Sequence, residues 1–100
     1  MSTAERAFYT LDRELRLVMA SPNTLILWGK PAKEIIGRRL TDVFPYVEGG
    51  DVHLALAQAL RSFQPVRLRT HSVVLGKAVE VEIYPVREGL QVSFWPSANL

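Results

Sequence analysis

The chain has 100 residues, 48% of them hydrophobic and 22% charged, with 12 Lys and Arg against 10 Asp and Glu for a formal net charge of +2. This is the composition of one folded domain with one core, which excludes a disordered segment, and the basic residues are too dispersed for a nucleic-acid footprint. The absence of cysteine excludes disulfides, iron–sulfur clusters, thiolate zinc sites and thiol nucleophiles.

The opening MSTAERAF lacks the apolar run of a signal peptide, and no stretch reaches the ~18 apolar residues of a membrane span. A cytoplasmic location is expected. In chain order, a short amphipathic start leads into FYTLD as a first strand. Asp12-Arg13-Glu14 follows as a polar turn, and LRLVMA as a second strand. Ser21-Pro22 then marks a helix start, with a hydroxyl to cap free N–H groups and a proline where its missing donor costs nothing.

Residues 27–45, LWGKPAKEIIGRRLTDVFP, are broken by Gly29, Gly37, Pro31 and Pro45 into pieces too short to be helices alone. Each glycine follows an apolar turn, where a helix commonly ends in a left-handed residue. Pro31 opens the next piece, and Thr41 or Asp42 is expected to cap the third. The spacing predicts three mini-helices, 22–28, 31–36 and 41–44. They persist only by laying Leu25, Trp28, Ile35, Ile36, Leu40, Val43 and Phe44 on a larger surface, either as a core cover or as one wall of a cavity.

A longer helix over 51–63 is predicted from Asp51 as a cap and the stripe Val52, Leu56, Leu60 and Phe63. Then VRLRT, KAVEVEIYPV and LQVSFW alternate with period two. A turn at Leu75-Gly76 sets Arg69 opposite Glu82 and His71 opposite Glu80. A turn at Glu88-Gly89 sets Ile83 opposite Phe94 and Pro85 opposite Val92. One face then gathers Val66, Leu68, Val79, Val81, Ile83, Leu90, Val92 and Phe94; the other gathers Arg67, Arg69, Glu80, Glu82, Tyr84 and Trp95. Strands, short helices, a longer helix and three more strands define an α+β domain, read as one unit over 1–100 with its core at about 7–95.

The order of pieces resembles a PAS domain over nearly all of residues 7–95. The first strand ends in Asp12 and a turn holds Asn23. A mini-helix ends in Trp28-Gly29, an acidic piece runs from Glu34 to Gly37, and Phe44-Pro45 closes the run. QPVRLR stands where the family has its third strand. Two positions depart from the family pattern: Ala20 replaces a commoner inward Asn, and Phe94-Trp95-Pro96-Ser97 replaces an Asp-Ile-Thr-like end. The resemblance implies a five-stranded antiparallel sheet with short helices and one longer helix packed on one face. It also implies a non-catalytic sensory or interaction module of a bacterial signalling protein such as a histidine kinase.

The residues agree with the absence of catalysis. The two histidines, His53 and His71, have no nucleophile or orienting partner at readable spacing, and metal-ligand spacing is missing. Without cysteine, the family's flavin–cysteine and thioester-linked chromophores have no attachment. Haem, held in some relatives by a histidine on the long helix, has one candidate ligand in His53. It flanks the apolar stripe, and Arg67 and Arg69 alternate outward rather than serving as a distal arginine.

Two readings of the site remain. The first, preferred because large inward side chains argue for a filled core, is association as a homodimer or with another signalling domain. Its surface is Tyr84 and Trp95, neighbours on the outer face, with Phe8 or Tyr9 and residues 2–9 beside them. Cover from within the same chain is the alternative for those aromatic residues. The second reading is an apolar ligand cavity bounded by Trp28, Ile36, Phe44, Leu56, Leu60, Val81 and Phe94.

Overall fold

The structure, a computed structural model, describes residues 6–97. Strand β1 (Ala7–Asp12) buries Ala7, Tyr9 and Leu11 and leaves Phe8 exposed, the period of two of a sheet with one covered face. The Asp12 carboxylate ends it by accepting hydrogen bonds from the backbone N–H of Glu14 at 2.8 Å and of Arg16 at 2.9 Å. Leu15 then takes a positive φ of 63°. That residue cannot continue an extended strand, so β2 is Leu17–Ala20 rather than the 15–20 expected.

Helix α1 (Pro22–Trp28) is capped by Ser21, whose side chain accepts from the Thr24 N–H, and it ends at Gly29 with φ 69°. Helix α2 (Ala32–Ile35) is narrower than expected, because Pro31 and Ile36 are both extended. Gly37, at φ 92°, turns the chain so that its N–H reaches the Leu17 carbonyl at 2.7 Å. Helix α3 (Leu40–Val43) starts after Arg39 without a side-chain cap, so neither Thr41 nor Asp42 has the expected role. A single 3-10 turn, Pro45–Val47, follows.

Helix α4 (Asp51–Ser62) has Gly50 at its cap position. Asp51 lies inside the first turn, and its carboxylate accepts from the Thr70 hydroxyl at 3.2 Å. The face laid on the sheet is Ala55, Leu56 and Ala59, with Val52 and Leu60 at its margins. Phe63 falls off this stripe: it is left-handed with φ 55° and 54% exposed.

Strands β3 (Val66–Ser72), β4 (Lys77–Val86) and β5 (Gly89–Pro96) complete one antiparallel sheet of order β2-β1-β5-β4-β3. Its inner face and the helices enclose Leu11, Leu17, Leu56, Ile83, Leu90 and Val92, each at most 2% exposed. The α+β architecture is the one expected, but both hairpin registers are shifted by two residues. Arg67 faces Glu82, Arg69 faces Glu80 and His71 faces Ala78; Ile83 faces Val92 and Pro85 faces Leu90.

The turns explain both shifts. In the first, residues 73–76 form the loop, and Gly76 (φ 71°) is its last residue rather than its centre. Its N–H bonds the Ser72 carbonyl at 2.7 Å. In the second, the turn is Arg87-Glu88, and Gly89 already belongs to β5. There a Cβ would lie 2.0 Å from the Leu11 carbonyl oxygen, so glycine serves close strand approach and not the turn. A slip of two preserves every side chain's face, which is why the division into inner and outer residues holds.

Candidate functional site

Small residues set where the core closes and where it does not. Ala55 and Ala59 let α4 approach the sheet and seal one end of the layer. At the other end Gly50 and the half-buried Val52 leave a gap beneath the 73–76 loop. The result is a cavity of about 180 Å³. Its floor is Val79, Val81, Phe94 and Tyr9 of the sheet, and its roof is Leu40, Phe44, Val47 and Val52. It opens where Tyr46, Asp51 and Val73 of its lining are exposed. The expected filled core is therefore interrupted at this end.

Aromatic rings form the closed wall. Trp28 packs against Tyr9 and Phe44 with centroids 5.0 Å from each, and lies parallel to Phe94 at 6.3 Å. Tyr9 meets Phe94 edge-on at 5.9 Å.

Polar groups are few. Tyr9 is 5% exposed, and burial raises the pKa of its phenol, so the hydroxyl keeps its proton and acts as a donor. It makes no hydrogen bond among the described residues. Yet no fully buried side-chain oxygen or nitrogen among them lacks a partner. The Tyr9 oxygen therefore touches open space, and the open space that Tyr9 borders is the cavity. Besides Tyr9 and Tyr46 the lining has two ionisable side chains, Asp51 and His71, and neither Lys nor Arg.

Of the residues expected around a cavity, the structure brings Trp28, Phe44, Val81 and Phe94 together on its wall. Leu56 is fully buried and Leu60 partly buried beneath α4, away from the lining. Ile36 is 39% exposed: the extended backbone after α2 turns it outward. Tyr9, expected on the outer face, lies inside. The signal for this in the sequence is Leu11 two residues on, an apolar residue that marks the face Tyr9 shares. Leu40 on the roof belongs to the mini-helix residues expected as a core cover or a cavity wall, whereas Val47 and Val52 escape sequence reasoning as cavity residues because a cavity depends on what does not pack.

The outer face is ordered in rows across the sheet. One row reads Trp95, Glu80, Arg69; the next Phe8, Ser93, Glu82, Arg67; the third Met19, Thr10, Gln91, Tyr84. Tyr84 and Trp95 are thus not neighbours, because the register shift puts Glu82 and Ser93 between them. Trp95 is half-buried and carries the Arg6 guanidinium 4.0 Å above its ring, which realises the alternative of cover from within the chain. Phe8 and Tyr84 are 43% and 46% exposed. Arg67 pairs with Glu82, and Arg69 with Glu80 at 3.1 Å. Residues 2–5 of the expected interface lie outside the described residues.

Haem does not fit this site. His53 is not part of the cavity lining, and its Nδ1 accepts the Gly49 N–H at 2.9 Å. The volume is also well below the ~300–1,000 Å³ of pockets that bury drug-sized molecules. Among the described residues no group of His, Asp and Glu side chains is placed to hold a metal ion, and no helix is long and apolar enough to cross a membrane.

A twisted five-stranded antiparallel sheet, with short helices and one longer helix on a single face over a small apolar cavity, defines a sheet-and-helix cup. The family model described as PAS fold matches residues 3–93, and the chain belongs to that family. The PAS domain of the histidine kinase ThkA superposes with a TM-score of 0.78 at 21% identity, over 91% of this chain and 98% of that one. A domain of an HTR-like protein from Haloarcula marismortui gives 0.77 at 13%, over 92% and 97%. The PAS domain of nitrogen regulation protein NR(II) from Vibrio parahaemolyticus gives 0.67 at 24%, over 95% and 92%. At these identities the likeness is one of fold. No curated protein matches the chain.

Proposed function

We propose that the chain is a non-catalytic sensory module of a signalling protein of the histidine-kinase kind, and that it reads a small ligand in the cavity under α4. The observation that carries this reading is the position of Phe94. It lines the cavity on one side of β5, and the next residue, Trp95, holds Arg6 on the other side. Arg6 directly precedes β1. A ligand that displaces the Phe94 ring therefore acts at once on β5 and, through Trp95 and Arg6, on the residue that leads into β1. PAS domains of a histidine kinase and of a nitrogen regulation protein share the fold, which supports the context.

Association is the second reading, favoured by the exposure of Phe8 at 43%, Met19 at 42% and Val18 at 56% around the β1–β2 edge. The two are compatible. Native mass spectrometry and an absorption spectrum of the freshly purified chain test the first: the expected result is added mass without a Soret band. A chain that carries nothing, and whose cavity resonances no small molecule shifts, removes the sensory reading.

A further inference from the structure

We propose that the cavity selects an uncharged molecule of a single six-membered ring bearing one hydrogen-bond acceptor, and that the Tyr9 hydroxyl is the donor that selects it. The inference rests on the cavity-sensing reading and specifies its ligand class.

Size sets the first limit. An apolar protein cavity of about 150 Å³ holds benzene, so about 180 Å³ with one open side takes one ring and a short substituent. Shape sets the second, because Trp28, Phe44 and Phe94 of the lining are aromatic, and a flat ring packs against such rings stacked or edge-on.

Charge sets the third. A buried anion needs a fixed cation, and the lining has none among Lys and Arg. The one carboxylate, Asp51, sits at the mouth with Thr70, where it repels an anion. His71 also borders the mouth, from a strand position that alternates outward with Arg67 and Arg69. A cation is disfavoured at the closed end too, because it would lose its water there while the one carboxylate, Asp51, stays at the exposed mouth.

The Tyr9 hydroxyl sets the last. Among the described residues it is a donor without a protein partner, and a ligand that expels water from the cavity must supply an acceptor or leave it unbonded. Discrimination by an unpaired polar group is sharper than discrimination by fit, because a ligand lacking the acceptor leaves the group unsatisfied.

The test is a ¹⁵N-NMR titration of the whole chain with three probes of nearly one shape: acetophenone, ethylbenzene and benzoate. Acetophenone is expected to shift the amide signals of Leu40, Val79 and Val81, binding roughly five- to tenfold tighter than ethylbenzene, the ratio one neutral hydrogen bond provides. Benzoate is expected to be the weakest. In Tyr9→Phe the ring contacts persist, and acetophenone falls to the level of ethylbenzene while ethylbenzene is unchanged. Equal binding of acetophenone and ethylbenzene by the wild-type chain, or a preference that survives in Tyr9→Phe, overturns the assignment of Tyr9 and leaves the cavity reading standing. Tighter binding of benzoate overturns the uncharged class. Failure of all three at millimolar concentration overturns both the inference and the reading beneath it.

Discussion

Gly37 and Gly89 are both required, for different reasons. Gly37 has φ 92°, and nothing lies within 4 Å of where a Cβ would stand, so its cost on substitution is purely conformational. Gly37→Val is expected to lose about 1–3 kcal/mol. Gly89 has open torsions but no room: a Cβ there meets the Leu11 oxygen at 2.0 Å and the Asp12 Cα at 2.7 Å, and backbone cannot step aside as a side chain can. Gly89→Ala is expected to lose about 3 kcal/mol or more, since β1 and β5 must separate. Urea unfolding measures both, and a Gly89→Ala chain as stable as the wild type contradicts the close approach. Gly37 is legible as a terminator because an apolar turn precedes it. Gly89's role is not, because the atom that excludes a side chain belongs to a strand far away in the chain.

Glu80 offers a residue-scale test in pH. The Arg69 side chain, and then the Ser97 hydroxyl at 3.0 Å, hydrogen-bond its carboxylate and hold its pKa below the ordinary 4.5. A carboxylate whose folded pKa is lowered adds stability above its unfolded pKa, and that stability is lost as pH falls through the folded value. Glu80→Gln is therefore expected to flatten the decline of thermal stability below about pH 4.5. A melting curve with the same acid dependence as wild type refutes the pairing.

At the scale of elements, α1 is bound to β1 through two buried hydroxyls. The Ser21 Oγ accepts the Phe8 N–H at 3.1 Å, and the Thr24 hydroxyl donates to the Phe8 carbonyl at 2.9 Å. Ser21 and Thr24 are 2% and 0% exposed, and β2 has already ended at Ala20. The first turn of the helix thus satisfies backbone groups that a strand would otherwise pair. Ser21→Ala removes a helix cap and leaves the Phe8 N–H unpaired, an expected loss of about 1–3 kcal/mol. Faster amide exchange at Phe8 is the specific readout, since a lost cap alone leaves that amide protected. The cap is legible in Ser21-Pro22. Its second role is not, because local pattern does not say which strand edge a helix start will meet.

At the scale of the whole molecule, face assignment in β3, β4 and β5 is legible in the sequence and register is not. Alternation fixes which side of a sheet a residue faces, whereas pairing depends on turn geometry, and a shift of two leaves alternation untouched. The consequence falls on association. With Glu80 as its cross-strand partner and Arg6 over its ring, Trp95 belongs to the internal architecture of the outer face. Trp95→Glu sets two carboxylates opposite each other and removes a cation–π contact. The expected effect is a stability loss of about 1–2 kcal/mol with no change in oligomeric state. Phe8 and Met19 stand on adjacent outer rows, each more than two-fifths exposed, and among the described residues they have no comparable internal partner. An interface that excludes water around such a pair tolerates a buried carboxylate poorly. If the chain associates through this face, Phe8→Glu converts a dimer to a monomer at micromolar concentration while Trp95→Glu remains dimeric. Sedimentation velocity separates the two, with circular dichroism as the control for folding. A wild-type chain that sediments as a monomer at tens of micromolar removes the association reading and leaves the cavity as the site of function.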